Sequence, residues 1–201
     1  MQVELGHGLA KRRGAKPLLF GGERTPPDGR AVRTAITHIR RRTVDSPVTT
    51  APSTERGVDV RPAERVDLLE IYRIETDSFT QPWPFSAFEQ YLGEPGFFVA
   101  MDESVLGYII ADVVSNQGIP LGHIKDIAVQ EQARGEGIGR LLLTRAISRL
   151  EAEQVHAIKL EVRESNERAI ALYRSHGFEH RRTIEEYYDD GEDALLLVRP
   201  K

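Results

Sequence analysis

At 201 residues the chain is long enough for one well-buried core and an appendage, and with no cysteine it has no disulfide framework, thiolate metal site or sulfur nucleophile. No apolar run approaches the roughly 18 to 20 residues that cross a bilayer, and "MQVELGHGLAKRRGAK" lacks the apolar stretch of a secretory signal, so a cytoplasmic protein without membrane partners is expected. The net charge of -4 divides unevenly at Gly57: 11 Lys+Arg stand against 5 Asp+Glu up to that residue, and 16 against 26 after it.

Residues 1–57 are rich in Arg, Pro, Thr and Gly, as in "KRRGAK", "TPPDGR" and "IRRRT", with no sustained apolar period; they are predicted to be a disordered basic extension. Two readings stay open: a basic arm that attracts ribosomal RNA through its phosphates, or a solvated extension, including one produced by a translation start placed too far upstream. No aromatic is interleaved with the basic runs, so any nucleic-acid binding is expected to be weak.

From residue 58 the pattern changes. "VDVRPAE" predicts a short strand ended by Pro62. "DLLEIYRIETDSF" (67–79) carries Leu68, Ile71, Tyr72 and Ile74 on one helical face. The two prolines of "TQPWPF" end that helix, and "SAFEQYL" forms a second, short one. "FFVAMD" and "VLGYIIADVV" predict a hairpin around "DES", and "HIKDIAV" (123–129) a third strand. Ile138, Leu141, Leu142, Ala146, Ile147 and Leu150 repeat at helical spacing to about Glu153. "AIKLEVRE" predicts another strand, "NERAIALYRSHGF" a helix capped by Ser165 or Asn166 with Gly177 past its end, and "FEHRRTIEEYY" with "ALLLVR" a closing hairpin around "DDGED". The sum is one mixed α/β domain, residues 58–201.

Between the third strand and its helix lies "ARGEGIGRLLL", with Gly135, Gly137 and Gly139 in five residues. A glycine-rich turn opening a helix suits an anion, because the first helical turn leaves N–H groups unpaired and carries partial positive charge. Arg134 and Arg140 flank it. The stretch lacks the Lys-Ser/Thr pair of a nucleoside-triphosphate loop, and its third glycine comes one residue early for a dinucleotide fingerprint.

"IAVQEQARGEGIGRLLL", followed about twenty residues later by "LEVRESNERAIALYRSHGF" and closed by "EEYYDDGEDALLL", resembles the GNAT superfamily of acetyl-CoA-dependent N-acetyltransferases, and within it the RimI-like enzymes that acetylate protein N-termini. The acidic domain with only three lysines, Lys125, Lys159 and Lys201, points to an archaeal type with several targets, and a bacterial-style restriction to one ribosomal protein stays open. The resemblance covers roughly residues 58–201. It implies a mixed, mostly antiparallel sheet splayed at a bulged strand and flanked by about four helices. It places the coenzyme diphosphate on Arg134, Gly135, Gly137, Gly139 and Arg140, and the pantetheine arm on the main chain of Ile127, Ala128 and Val129. The expected bulge lies at those three residues.

The same resemblance gives Glu161 the role of proton acceptor, Tyr173 that of proton donor to the leaving sulfur, and Asn166 a contact with acetyl-CoA. Phe79, Trp83, Tyr187 and Tyr188 would flank the incoming peptide. From the residues themselves, Glu161 faces opposite to Leu160 and Val162, and Asn166 and Tyr173 share one helix face. An unperturbed glutamate near 4.3 is a poor base for an ammonium near 8, so Glu161 must be raised by burial or act through water. His123 is the rival base, against a purely structural role for it. No metal is expected. The partner is a protein N-terminus, such as that of a ribosomal protein, and the enzyme is expected to be a monomer. Acetylation of a small amine and a non-catalytic acyl-CoA-binding or ribosome-associated module are the alternatives.

Overall fold

The computed structural model describes residues 57–116 and 118–201. The basic arm, and with it the reading of residues 1–56 as disordered, lies outside the described residues. The elements run β1 (Asp59–Pro62), α1 (Leu68–Ser78), α2 (Phe85–Tyr91), β2 (Phe97–Met101), β3 (Val105–Asn116), β4 (Ile119–Val129), α3 (Ile138–Ala152), β5 (Ala157–Arg163), α4 (Glu167–Ser175), β6 (Glu179–Ile184) and β7 (Ala194–Pro200). They build one sheet in the order β1-β2-β3-β4-β5-β7-β6, in which only β4 and β5 are parallel. This is the mixed, mostly antiparallel sheet that the resemblance implies.

Helix α1 forms because Leu68, Ile71, Ile74 and Ser78 fall on one buried stripe. Its entry is fixed by Asp67, which accepts a hydrogen bond from the Glu64 backbone N–H at 2.7 Å and a bidentate pair from Arg61 in β1 at 2.7 and 2.8 Å. Strand β2 is buried from Phe97 to Ala100, so helices cover both of its faces.

Three expectations need correction. Strand β4 starts at Ile119, four residues earlier than predicted, because Pro120 and Gly122 conceal it. Packing requires that glycine: a Cβ on Gly122 would lie 2.9 Å from Leu150 Cδ1 and 3.1 Å from Ile158 Cγ1. Strand β6 stops at Ile184, not at the tyrosines, since Glu186 turns the chain at φ +48°. The bulge is at Lys125: Ile110 pairs with Asp126 and Ala111 with Ile124, which leaves Lys125 without a partner, upstream of the expected Ile127–Val129.

Past that point β4 and β5 separate. Their parallel pairing comprises only Gly122 with Ile158 and His123 with Lys159. The sheet is therefore open between the end of β4 and the end of β5.

Candidate active site

The floor of the opening is the glycine turn. After a 3-10 turn at Glu131–Ala133, Gly135 (φ +93°) and Gly137 (φ +86°) take left-handed conformations that a side chain disfavours by about 1–2 kcal/mol. Helix α3 follows with no side-chain cap, and its first backbone bond runs from Leu141 N–H to Gly137 O at 3.1 Å. The N–H groups of the first turn are thus available to an anion. They open on a groove of about 390 Å³ between Val129, the turn, and Ala169, Leu172 and Ser175 of α4.

The two flanking arginines differ. Arg134 turns back into the protein, its Nε donating to Val129 O at 3.0 Å and its guanidinium to Ser78 Oγ at 3.2 Å, so it braces the turn against α1. Arg140 is exposed at the groove, and Arg168 joins it from α4, coming within 3.4 Å of where a Gly135 side chain would begin. Sequence reasoning missed Arg168. Its signal was the position two residues after Asn166, at a helix start facing the turn.

The wall of the opening is the free edge of β4. Gln130 N–H bonds to Leu106 O in β3 at 2.9 Å, and successive residues of a strand direct their peptide groups to opposite sides. Ala128 therefore pairs with Tyr108 across the β3 ladder, while Ile127 and Val129 present N–H and C=O to the gap, with Val129 O already engaged by Arg134.

Glu161 of β5 stands where the strands part. His123 Nε2 lies 2.7 Å from Glu161 Oε2, and Lys159 Nζ lies 3.0 Å from Oε1. Burial works to raise the Glu161 carboxyl, but the hydrogen bond and charge of His123, together with Lys159, outweigh it and hold the group at about 2. Burial depresses His123, with Glu161 opposing. At neutral pH this gives a neutral imidazole whose Nε2–H donates to an ionised carboxylate, leaving Nδ1 as an acceptor. Of the two routes expected for Glu161, burial does not lift it toward neutrality, which leaves action through water. The rival residue His123 is its hydrogen-bond partner.

Across the gap, Asn166 caps α4 by accepting from Ala169 N–H at 3.1 Å, and its buried amide NH₂ has no partner among the described residues. Tyr173 is buried against Phe178, and burial, then the charge of Asp126, raise its hydroxyl well above the usual phenol range. Tyr188 is 5% exposed; its ring lies 3.9 Å under the Arg163 guanidinium, and its buried hydroxyl has no hydrogen-bond partner among the described residues. Burial raises that hydroxyl, Arg163 opposes the rise, and Tyr187, Tyr173 and Glu161 add to it, so Tyr188 stands near both proposed proton carriers. Arg163 also binds Asp190 at 2.8 Å and Glu192 at 2.7 Å, which fixes the β6–β7 connection.

Phe79 and Trp83 are not at the opening. Both lie in the core, 4% and 3% exposed, and Trp83 packs on Phe88 and Tyr91 at 5.9 Å. Their apolar area drives them inward, so the α1–α2 connection can offer main chain but not these rings. Tyr187 is half-buried, edge-on to Tyr188 at 5.2 Å.

Comparison with known proteins places this arrangement. The acetyltransferase (GNAT) family matches residues 68–178. An N-alpha-acetyltransferase of Saccharolobus solfataricus is 37% identical over 157 residues, covering 72% of this chain and 94% of its own length. The [ribosomal protein bS18]-alanine N-acetyltransferase of Escherichia coli is 34% identical over 142 residues, covering 68% and 93%. The crystal structure of the Escherichia coli ribosomal-protein-S18-alanine N-acetyltransferase superposes with a TM-score of 0.63 at 33% identity over 71% of this chain and 93% of that one. Chaetomium thermophilum Naa20 in complex with a bisubstrate analogue gives 0.65 at 29% identity, over 71% and 86%. A sheet opened beside an uncapped glycine turn, together with these matches, establishes that the chain belongs to the acetyltransferase (GNAT) family.

Proposed function

We propose that the protein transfers the acetyl group of acetyl-CoA to the α-amine of a protein N-terminus, with the N-terminus of a ribosomal protein as the first candidate substrate. The observation that carries this reading is the convergence of three things on one opening in the sheet: unpaired amides at the start of α3, the Glu161–His123 pair, and Tyr173. It is reinforced by relatives named for N-terminal acetylation.

The first turn of α3, with Arg140 and Arg168, binds the coenzyme diphosphate as a co-substrate, and the free peptide groups of Ile127 and Val129 pair with its pantetheine arm. Arg134 holds the turn in shape, and the Asn166 amide donates toward the acyl arm. The amine nitrogen attacks the thioester carbonyl, the C–N bond forms, and the C–S bond breaks. The proton lost by the nitrogen passes to His123 Nδ1, directly or through a water that Glu161 orients. The departing thiolate takes its proton from Tyr173. A protein α-amine near 7.7–8.0 needs only about 1 to 1.4 kcal/mol to be neutral at pH 7, against about 4.6 for a lysine, so a weak acceptor suffices. That difference favours an N-terminus over an internal lysine.

Tyr187, Tyr188 and the main chain of residues 79–84 flank the incoming peptide. Residues 58–201 form the catalytic domain of a monomeric cytoplasmic enzyme, and residues 1–57 are an appended arm. No helix among the described residues is long and apolar enough to cross a membrane. Incubation with acetyl-CoA and a peptide panel varying the first two residues, read by mass spectrometry, tests the reading. Acetylation of peptide α-amines supports it, and turnover confined to free polyamines sinks it.

A further inference from the structure

Beneath the opening lies a buried cluster for which the proposed reaction has no use. The Tyr108 hydroxyl in β3 is hydrogen-bonded to Glu75 Oε2 of α1 and, at 2.8 Å, to Asp126 Oδ2 of β4. Glu75 Oε1 accepts the backbone N–H of Trp83 at 2.6 Å. All three side chains are cut off from solvent.

A phenol carries one proton and can donate it to one carboxylate only. With both carboxyls ionised, the second contact would set lone pair against lone pair in a site buried from bulk solvent, and two carboxylates that close cannot both stay charged. We propose that Glu75, Tyr108 and Asp126 hold one proton beyond the tyrosine's own, and that this shared proton ties the α1–α2 connection to β4, making Glu75 and Asp126 positioning residues for the acceptor side of the site.

The partners locate the proton. Both Glu75 oxygens face donors, Trp83 N–H and Tyr108 O–H, as an ionised carboxylate requires. Among the described residues Asp126 Oδ1 has no hydrogen-bond partner, which suits the carbonyl of a neutral acid far better than half of a buried anion. Burial, then the charge of Glu75, push the Asp126 carboxyl well above its usual range, outweighing the opposing hydrogen bonds of Tyr108 and the Ile127 backbone N–H. The other ionisable groups that face Asp126 are Tyr91 of α2 and Tyr173 of α4, both raised themselves and both neutral at physiological pH.

The chain of bonds therefore runs Asp126 to Tyr108 to Glu75 to Trp83. It begins one residue before Ile127, on the strand proposed to bind the coenzyme arm, and ends in the connection proposed to flank the peptide. The positioning role rests on that placement of the peptide; the shared proton does not.

Trp83 is the only tryptophan of the chain, so its emission reports this link directly. The experiment uses the full chain with Asp126→Asn, whose amide N–H can replace the acid proton toward Tyr108, and Asp126→Ala, which removes the donor. At neutral pH the wild type is expected to show the infrared carbonyl stretch of a buried carboxylic acid, absent in D126N. D126A should shift Trp83 emission to the red and raise its quenching by acrylamide severalfold, and D126N should restore both. D126A should raise the peptide KM about tenfold, as for one lost buried hydrogen bond, with acetyl-CoA affinity within about twofold.

No acid band in the wild type, or a band that survives in D126N, overturns the shared proton even if D126A fails to fold. D126N behaving as D126A in emission overturns the tie. An unchanged peptide KM in D126A overturns the positioning role. The infrared and fluorescence readouts need no turnover, so a wild type that acetylates no peptide would count against the proposed activity while these still decide the proton and the tie.

Discussion

His123 and Glu161 meet at 2.7 Å beside the last rung that joins β4 to β5, because His123 is the register partner of Lys159 and Glu161 is the next residue on the same face of β5. The pair therefore marks the point where the sheet opens. Acting as one unit, it should show non-additive loss. Glu161→Gln and His123→Ala are each expected to lower kcat about 10²-fold, with the double variant little worse than either, and acetyl-CoA affinity nearly unchanged. Steady-state kinetics on a peptide substrate with a coenzyme titration checks this.

The same pair sets a dependence of stability on acid. The Glu161 carboxyl sits at about 2 in the folded chain against 4.5 as its ordinary value, so its contribution is complete above the ordinary value and is lost as pH falls through the folded one. His123, depressed by burial, takes up a proton more readily once unfolded and adds to the loss in the same direction. A decrease on the order of 3 kcal/mol is expected from Glu161 between about pH 5 and pH 2. Glu161→Gln should be less stable than wild type at neutral pH and lose less on acidification, as read from denaturant midpoints.

Tyr173 offers a cleaner separation of chemistry from folding. Its hydroxyl is raised by burial and by Asp126 and so is protonated at neutral pH, as the proposed donor must be. Among the described residues it has no protein hydrogen-bond partner, so Tyr173→Phe should cost the fold less than about 1 kcal/mol. The same change should slow kcat by about 10- to 100-fold with coenzyme affinity intact. Thermal melts and single-turnover rates on one preparation test both halves.

Glycines of the turn divide in the same way. At Gly137 a side chain meets strain from the backbone alone, since nothing lies within 4 Å of its Cβ position. Gly137→Ala should destabilise the protein by about 1–2 kcal/mol. At Gly139 the backbone is helical and a methyl would rest 3.5 Å from Leu172 and 3.9 Å from Val129, at the groove itself. Gly139→Ala should raise stability by up to about 1 kcal/mol while weakening acetyl-CoA binding at least about tenfold. Calorimetry beside thermal melts distinguishes the two.

Arginines give a parallel contrast. Arg168→Ala should weaken coenzyme binding by roughly fivefold, less so at high salt, with kcat at saturation unchanged. Arg134→Ala removes the braces to Val129 and Ser78 and should loosen the turn itself, visible as faster amide exchange at residues 134–140. Titrations at two ionic strengths and hydrogen exchange check the pair.

Helices α1, α3 and α4 were legible in the sequence because each repeats its apolar residues at helical spacing, and the glycine turn because its chemistry is local. What could not be read depends on neighbours distant in the chain. His123 and Glu161 are 38 residues apart and meet through a parallel register that no local pattern encodes. Trp83 and Phe79 looked like a peptide-facing pair, since an aromatic in a proline-rich link has the same signature facing in or out. Asp126 carries no local mark that sets it apart from other strand carboxylates. The β3–β4 pairing brings it to Tyr108, and the packing of α1 on those strands brings that phenol to Glu75.

The β4–β5 ladder stops after the pairs Gly122–Ile158 and His123–Lys159. Beyond them the two strands share no backbone pairing, and whatever inserts beside Ile127 and Val129 supplies contacts across that gap. Resistance to pulling, heating or proteolysis should then rise with occupancy, so that the supply of one metabolite governs how long the catalyst itself survives.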